Sequence, residues 1–389
     1  MTRITEDWLT DPATQAVCAA LEAGGAQALF VGGCVRNALM GVPVRDIDLS
    51  TDAVPERVIA LAEAAGIKAV PTGIDHGTVT LVKNGIPHEV TTFRKDVETD
   101  GRRAVVAYST RVEEDAARRD FTMNALYARS DGTVLDPLGG LADLRARRVR
   151  FIGNAGDRIR EDYLRSLRYF RFHAWYGCDE LGFDPEALAA IADNLDGLST
   201  LSRERVGGEL LRLLSAPDPA PSVAAMRSTG ALGQVLPGAD DRALAPLVHL
   251  EGQAGVAPDG VRRLAALGGV EAADRLRLSR AQARALDRMR EAAAGAMAPA
   301  ELGYRLKAGA GRDALLLRCA WLEQPWPEGA EEAIATGAAA RFPVTARDLM
   351  PEYSGAALGK RLAELENRWI ASGFAGDKAA LLSGDSGAG

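Results

Sequence analysis

Cysteine is scarce in this chain. Cys18, Cys34, Cys178 and Cys319 are its only four, and their scatter builds neither a disulfide framework nor a zinc site. The four histidines are spread as thinly, so His76 and His88 read as ordinary polar residues rather than metal ligands. No apolar run reaches the ~18 residues that a membrane-spanning helix needs, so no membrane partner is expected. The opening MTRITEDWLTDP lacks the apolar segment of an export signal. These absences together predict a reducing, cytoplasmic location. No His-Asp dipeptide occurs, and the C-terminal half holds only His249, which excludes a metal-dependent phosphohydrolase of the His-Asp type. What is plentiful is length and apolar content: 389 residues, 47% hydrophobic, can bury the cores of two or more domains.

The most informative stretch is 29–51, LFVGGCVRNALMGVPVRDIDLST. An apolar strand delivers Gly32 and Gly33, a short helix follows from Cys34 to Met40, and a turn leads to Asp46-Ile47-Asp48-Leu49. Glycines let backbone approach a ligand closely, and the amides that open a helix favour anions such as phosphate. In a strand, Ile47 and Leu49 would enter a core while Asp46 and Asp48 project together from the other face. Two adjacent carboxylates repel each other, and a divalent cation holds both ionised. A phosphate cradle beside a hard-metal site suits a nucleotide with Mg²⁺. Each motif alone is most often a turn or a solvated loop; their combination carries the specificity. The first strand-helix turn lacks Gly-x-Gly-x-x-Gly, which argues against a dinucleotide-binding oxidoreductase.

The stretch resembles the signature of DNA polymerase β-like nucleotidyltransferases, in the branch of bacterial tRNA CCA-adding enzymes and poly(A) polymerases. It departs from that branch at Asn37, where an Asp is usual. The resemblance implies that Gly32, Gly33 and Arg36 bind the nucleotide. It also implies that Asp46 and Asp48 are catalytic metal ligands, with Glu89 in the strand-like HEVTTF as a third carboxylate.

In chain order, 11–24 reads as an amphipathic helix, Pro55 opens another, and strands are expected at 68–70, 78–82 and 88–93. Residues 94–115, charged and broken by Gly101, read as a mobile loop. RRDFTMNALY follows, in which Arg118 and Arg119 precede an apolar helical stretch; the resemblance gives Arg119 a contact with the nucleotide.

In EDYLRSLRYFRF, Arg165, Arg168 and Arg171 recur every three residues on one helical face, with Asp162 three positions before them. Leu164, Leu167 and Phe170 take the buried side. From Arg145 to Arg171 there are nine Arg, no Lys and three acids, a local excess of six positive charges in a chain of net charge −7. That is an anionic-ligand footprint within an acidic protein. A carboxylate accepts and a guanidinium donates, so Asp162 and Arg165 can satisfy the amine-plus-acceptor edge that cytosine and adenine share. Uracil and guanine would set donor against donor there. In the resembled family the matching Asp and Arg read the base, while residues at Arg168 and Arg171 hold the nucleotide or its phosphates.

The expected architecture is α+β: a small mixed-sheet head (1–150), a helical neck that reads the base (151–215), and an all-α body and tail that hold tRNA (216–389). Ser202 is expected to cap the last neck helix, and LLSGDSGAG to be a disordered end. The implied activity is template-independent addition of C, C and A to the tRNA 3′ end from CTP and ATP, with Mg²⁺. A poly(A) polymerase or a partial CC- or A-adding enzyme shares the motifs. The former would be expected to show more basic surface and a Gly-Arg-Arg-Phe-like segment, which is not found here. A silent RNA-binding module would have no need of the paired acids.

Overall fold

The computed structural model of the chain describes residues 2–96 and 106–383. They fall into two compact units, Met1–Leu201 with Ser228–Ala231, and Ser202–Arg227 with Leu232–Gly389.

The first unit opens with helices α1 (Asp7–Thr10) and α2 (Pro12–Ala23). Asp11 starts α2 by accepting the amides of Ala13 and Thr14, with Pro12 in the first turn, where no amide is needed. There follow β1 (Leu29–Val31), α3 (Gly33–Met40), β2 (Asp48–Thr51), α4 (Pro55–Ala64), β3 (Lys68–Gly73), β4 (Thr78–Lys83) and β5 (Ile86–Thr92). The sheet is completed by β8 (Tyr127–Ala128) and β9 (Val134–Leu135), in the order β3-β4-β5-β2-β1-β8-β9. β2 and β5 pair in parallel; the other neighbours are antiparallel. The expected mixed sheet is present.

Alternation sorts the two faces. Leu49, Val79, Leu81 and Val90 are buried on the side where α2 and α4 pack against β4 and β5. Asp48, Ser50, Glu89 and Thr91 belong to the other face. Between β4 and β5 the chain reverses through Asn84 and Gly85, both at positive φ (51° and 82°), the two-residue turn whose twist suits a tight hairpin.

Two expectations fail here. Residues 94–115 are not one loop: β6 (Arg94–Asp96) and β7 (Val106–Tyr108) form an antiparallel ribbon and α5 (Val112–Ala117) follows, while 97–105, with Gly101, lie outside the described residues. Lys95 and Tyr108 are exposed and Arg94 and Ala107 half-buried, so these residues show no buried apolar alternation to read. The apolar stretch after Arg119 is not an α-helix but a 3₁₀ turn, Thr122–Asn124, running into β8. Phe121, Met123, Ala125 and Leu126 are all fully buried, and a segment buried on every side has no period to read.

The unit continues through α6 (Gly140–Arg145), α7 (Ala155–Glu161), α8 (Leu164–Tyr176) and α9 (Pro185–Ala192). Tyr169 and Phe172 of α8 pack against Phe121, at centroid distances of 6.2 and 4.9 Å, and Tyr169 stacks on Phe151 at 5.6 Å. This shared aromatic core joins the segment after position 150 to the first compact unit. The division falls at Leu201, inside the segment read as one neck.

The second unit begins with α10 (Arg203–Leu214), capped by Ser202 as expected, and Glu204 pairs with Arg277. It is helical throughout; among the described residues its only β feature is the Ala239–Gly268 bridge. A buried ion cluster ties it together: Glu251 takes Arg262 and Arg263, and Arg263 also donates to the carbonyls of Leu214, Ala216 and Pro217. Of the expected disordered end, 381–383 close the helix Lys378–Ser383 with Leu381 buried, and 384–389 lie outside the described residues.

Candidate active site

Gly32 sits at φ 70°, ψ −119° and opens α3. A Cβ there would stand 3.4 Å from Arg119 Nη1 and 3.9 Å from the Asn124 carbonyl, in a conformation that only glycine adopts without strain. The turn thus brings bare backbone and the first amides of α3 close to Arg119.

One strand away, Asp48 opens β2 and stands directly opposite Glu89 of β5, so both carboxylates leave the sheet on one face. Asp46 differs from its expected place: it is exposed and precedes the strand, and Ile47 is only half-buried rather than in the core. The reason is that β2 starts one residue after Ile47. Asp46 nevertheless acts on its neighbour. Burial, then the Glu89 charge, then that of Asp46 raise the Asp48 carboxyl to about 6, with Arg119 opposing. A cavity of about 260 Å³ lies over this face, lined among others by Asp48, Ser50, Glu89, Thr91, Arg94 and Arg119.

The raised Asp48 carboxyl fits a hard divalent cation, because added positive charge favours its ionised form. Among the described residues no trio of acids, His or Cys gathers closely enough to enclose a metal. The fit is therefore to an ion that uses one or two carboxylates and completes its shell with water and phosphate oxygens.

Arg119 is fixed from three sides: Asp115 at 3.0 Å, Tyr127 Oη at 3.1 Å and Ser50 Oγ at 3.3 Å. Asp115 lies three and four residues before Arg118 and Arg119 on α5 and pairs with both. That spacing was a readable signal for a residue which the sequence reading missed.

Arg36 is buried and stacks on Tyr176, its Cζ 4.0 Å from the ring centroid. It donates to Asn124 Oδ1, Asn37 Oδ1 and Tyr176 Oη. Arg36 therefore ties α3 to α8. Asn37, the departure from the family pattern, accepts from Arg36 and donates to the Pro43 carbonyl, holding the turn that leads to Asp46.

On the neck, Arg165, Arg168 and Arg171 share one face of α8, and Leu164, Leu167 and Phe170 are buried as expected. Asp162 is not on that helix. It caps the break between α7 and α8, in extended conformation, and accepts the Leu164 amide at 3.2 Å. Arg165 donates to Glu161 and to the carbonyls of Arg158 and Arg118. Arg168 forms a two-pronged pair with Asp120, a buried residue the sequence reading passed over; no local spacing links positions 48 apart. Arg171 lies over the Phe172 ring, 4.6 Å from its centroid.

Residues 28–150 match the poly A polymerase head domain family, and 181–242 match the family described as the probable RNA and SrmB-binding site of polymerase A. The chain is 44% identical over 186 residues to the human mitochondrial CCA tRNA nucleotidyltransferase 1, covering 48% of this chain and 43% of that protein. It is 40% identical over 222 residues to the CCA-adding enzyme of Geobacillus stearothermophilus, covering 56% and 52%. The crystal structure of the Bacillus stearothermophilus CCA-adding enzyme in complex with CTP superposes with a TM-score of 0.72 at 26% identity, over 95% of this chain and 94% of that one. Residues 28–150 carry the poly A polymerase head domain, and the chain as a whole is similar to CCA-adding enzymes. It spans about half the length of the curated relatives that it matches. The family's general need for a divalent metal agrees with the carboxylate face just described. The fold of the head and its helical extension is that of the family's solved members, and no described helix is long and apolar enough to cross a membrane.

Proposed function

We propose that this chain adds C, C and A to the 3′ end of tRNA, taking CTP and ATP as donors and releasing pyrophosphate. The observation that carries the reading is the pairing of Asp48 with Glu89 in register, on one cavity with Arg119, which the Gly32 turn approaches. The human relative's name and the CTP complex of the Bacillus relative support the substrate class. The three buried, free cysteines are compatible with cytoplasmic chemistry.

In this reading Asp46 and Asp48 hold Mg²⁺. When bound, the ion would neutralise charge that develops on the reacting phosphate. The RNA 3′-oxygen bonds to the α-phosphorus, the bond from that phosphorus to the β-phosphate bridge breaks, and the leaving pyrophosphate is received by the Gly32–Gly33 amides and Arg119. Glu89 accepts the proton of the 3′-hydroxyl. Asp162 and Arg165 offer acceptor and donor to the base edge; Arg165 is steadied by Glu161 and two carbonyls, and its Nε–H makes no hydrogen bond among the described residues. One protein face suits C and A alike, so the growing RNA end must change the pocket after two additions.

The test is incubation of the purified chain with tRNA lacking its 3′ CCA, with each nucleotide alone and with CTP and ATP together. Two C residues from CTP, and CCA from both, are expected. Long A tails from ATP alone would assign a poly(A) polymerase instead; addition of only CC or only A would assign a partial enzyme.

A further inference from the structure

Arg94 is the cation at this cavity that the mechanism above leaves unused. It stands at the start of β6, lines the same cavity as Asp48, Glu89 and Arg119, and is half-buried. Its backbone amide is tied to Asp115 Oδ1 at 3.3 Å, which fixes where the side chain begins. The guanidinium is held far more loosely than that of Arg119. Nη1 donates to the His76 carbonyl at 2.9 Å, and Nε is buried with no hydrogen-bond partner among the described residues. A guanidinium carries five N–H donors and gains most from an anion that offers two acceptor oxygens, as a carboxylate or a phosphate does.

The sheet order says which anion. The Gly32–Gly33 turn follows β1, on one side of β2. Arg94 is anchored at His76, just before β4, which lies two strands away on the other side of β2, beyond Glu89 on β5. At roughly 4.8 Å per strand, the anchor is about 10 Å from the Asp48 strand and about 14 Å from the cradle strand. Phosphoryl transfer keeps attacking and leaving oxygens roughly in line through the α-phosphorus. If pyrophosphate leaves toward the cradle, the RNA end enters from the opposite side, where Arg94 stands. Thr78 and Thr91, hydrogen-bonded to each other at 3.0 Å, line that same end of the cavity and add neutral polar groups but no competing acid.

We infer that Arg94 grips the last phosphodiester of the RNA acceptor strand and so positions its 3′-hydroxyl over Asp48 and Glu89. This rests on the transferase reading above. Asp115 takes the Arg94 backbone amide and pairs with Arg118 and Arg119, so the Arg94 guanidinium has no carboxylate hydrogen bond among the described residues and is left for an anionic ligand. Burial and the two neighbouring guanidiniums lower Arg94 to about 10, which leaves it charged at neutral pH.

The experiment uses the full chain and tRNA ending in CC, with the last phosphodiester either natural or an uncharged methylphosphonate. A 2′-O-methyl group on the preceding ribose in both RNAs keeps the linkage intact. A charge-assisted contact predicts that wild type loses about 10–100-fold in kcat/KM for A addition on the neutral RNA. Arg94→Gln should lose a similar factor on natural RNA, lose little more on neutral RNA, and leave KM for ATP within about 2-fold; Arg94→Lys should recover part of the loss. A purely structural role for Arg94 would not make the two perturbations redundant. Losses that multiply, or a raised KM for ATP with RNA unaffected, overturn the inference and move Arg94 to the triphosphate side. Wild type that is active but indifferent to the neutral linkage overturns it without any variant having to fold. Wild type that transfers nothing to either RNA overturns the transferase reading as well.

Discussion

Replacing Asp120 by Asn tests the coupling of head and neck most directly. Asp120 is 7% exposed and accepts four hydrogen bonds: from the Phe121 amide at 2.8 Å, from Asn124 Nδ2 at 2.9 Å, from Arg168 Nε at 2.8 Å and from Arg168 Nη2. Burial would raise its carboxyl pKa, but Arg168 and the hydrogen bonds outweigh it and hold it below the ordinary carboxylate range. Removing one partner of a fully buried pair costs about 3–5 kcal/mol. The Arg168 side chain keeps 31% exposure and can recover some hydration, so the loss here should be nearer ~2–3 kcal/mol. For a unit of this size that is a fall in melting temperature of roughly 4–12 °C. The sign of the pH dependence follows: a depressed folded pKa gives stability that is full above the unfolded value of about 3.9 and is lost as pH falls through the folded one. The gap between wild type and Asp120→Asn should therefore be level from pH 5 to 8 and close below about pH 4. Thermal and urea unfolding at several pH values, with Arg168→Ala and the double variant completing a cycle, measure it. A gap under about 0.5 kcal/mol at pH 7, or one that widens in acid, would refute the reasoning.

Asp46→Ala and Asp48→Ala should each lower kcat by about a thousandfold or more while tRNA binding stays within a few-fold, because a lost metal ligand acts chiefly in the transition state; steady-state kinetics and a filter-binding titration separate the two. Asp162→Ala and Arg165→Ala should raise UTP and GTP misincorporation relative to C and A by roughly 10-fold or more, at about 1–3 kcal/mol per mispaired group; variants that are slow yet as selective as wild type would leave α8 a phosphate clamp only. Gly303→Ala should destabilise the second unit by about 1–3 kcal/mol in urea unfolding, since a Cβ there would stand 2.0 Å from the Ile334 carbonyl oxygen.

The sequence made legible whatever depends on short-range spacing. The glycine turn before α3, the α8 arginine row and the strands β3 to β5 are all local patterns, and each is present; of the Asp46/Asp48 pair only Asp48 is on the strand. What stayed hidden depends on long-range packing. Asp120 meets Arg168 across 48 positions, and nothing in RRDF announces a partner in the neck. That the compact unit continues past position 150 was likewise hidden, because Phe151 and Tyr169 share one aromatic core. Asp162 fitted a helical face by counting, but its own side chain accepts the Leu164 amide at a helix break. The short polar residues that stop helices can also look like members of them.

The Asn84-Gly85 reversal dictates which face of the sheet Glu89 takes. Side chains in a strand change face at every residue, so one residue inserted at this turn, carried through β5, would put Glu89 among the greasy side chains under α2 and α4 and lift Val90 or His88 toward the cavity. Asp48 would not move, because β2 takes its course from β1. Insertions here are thus a way to silence the proposed chemistry while Asp46 and Asp48 both remain in the sequence, and a homologue with a longer turn should be judged inactive or re-registered before its aspartates are counted.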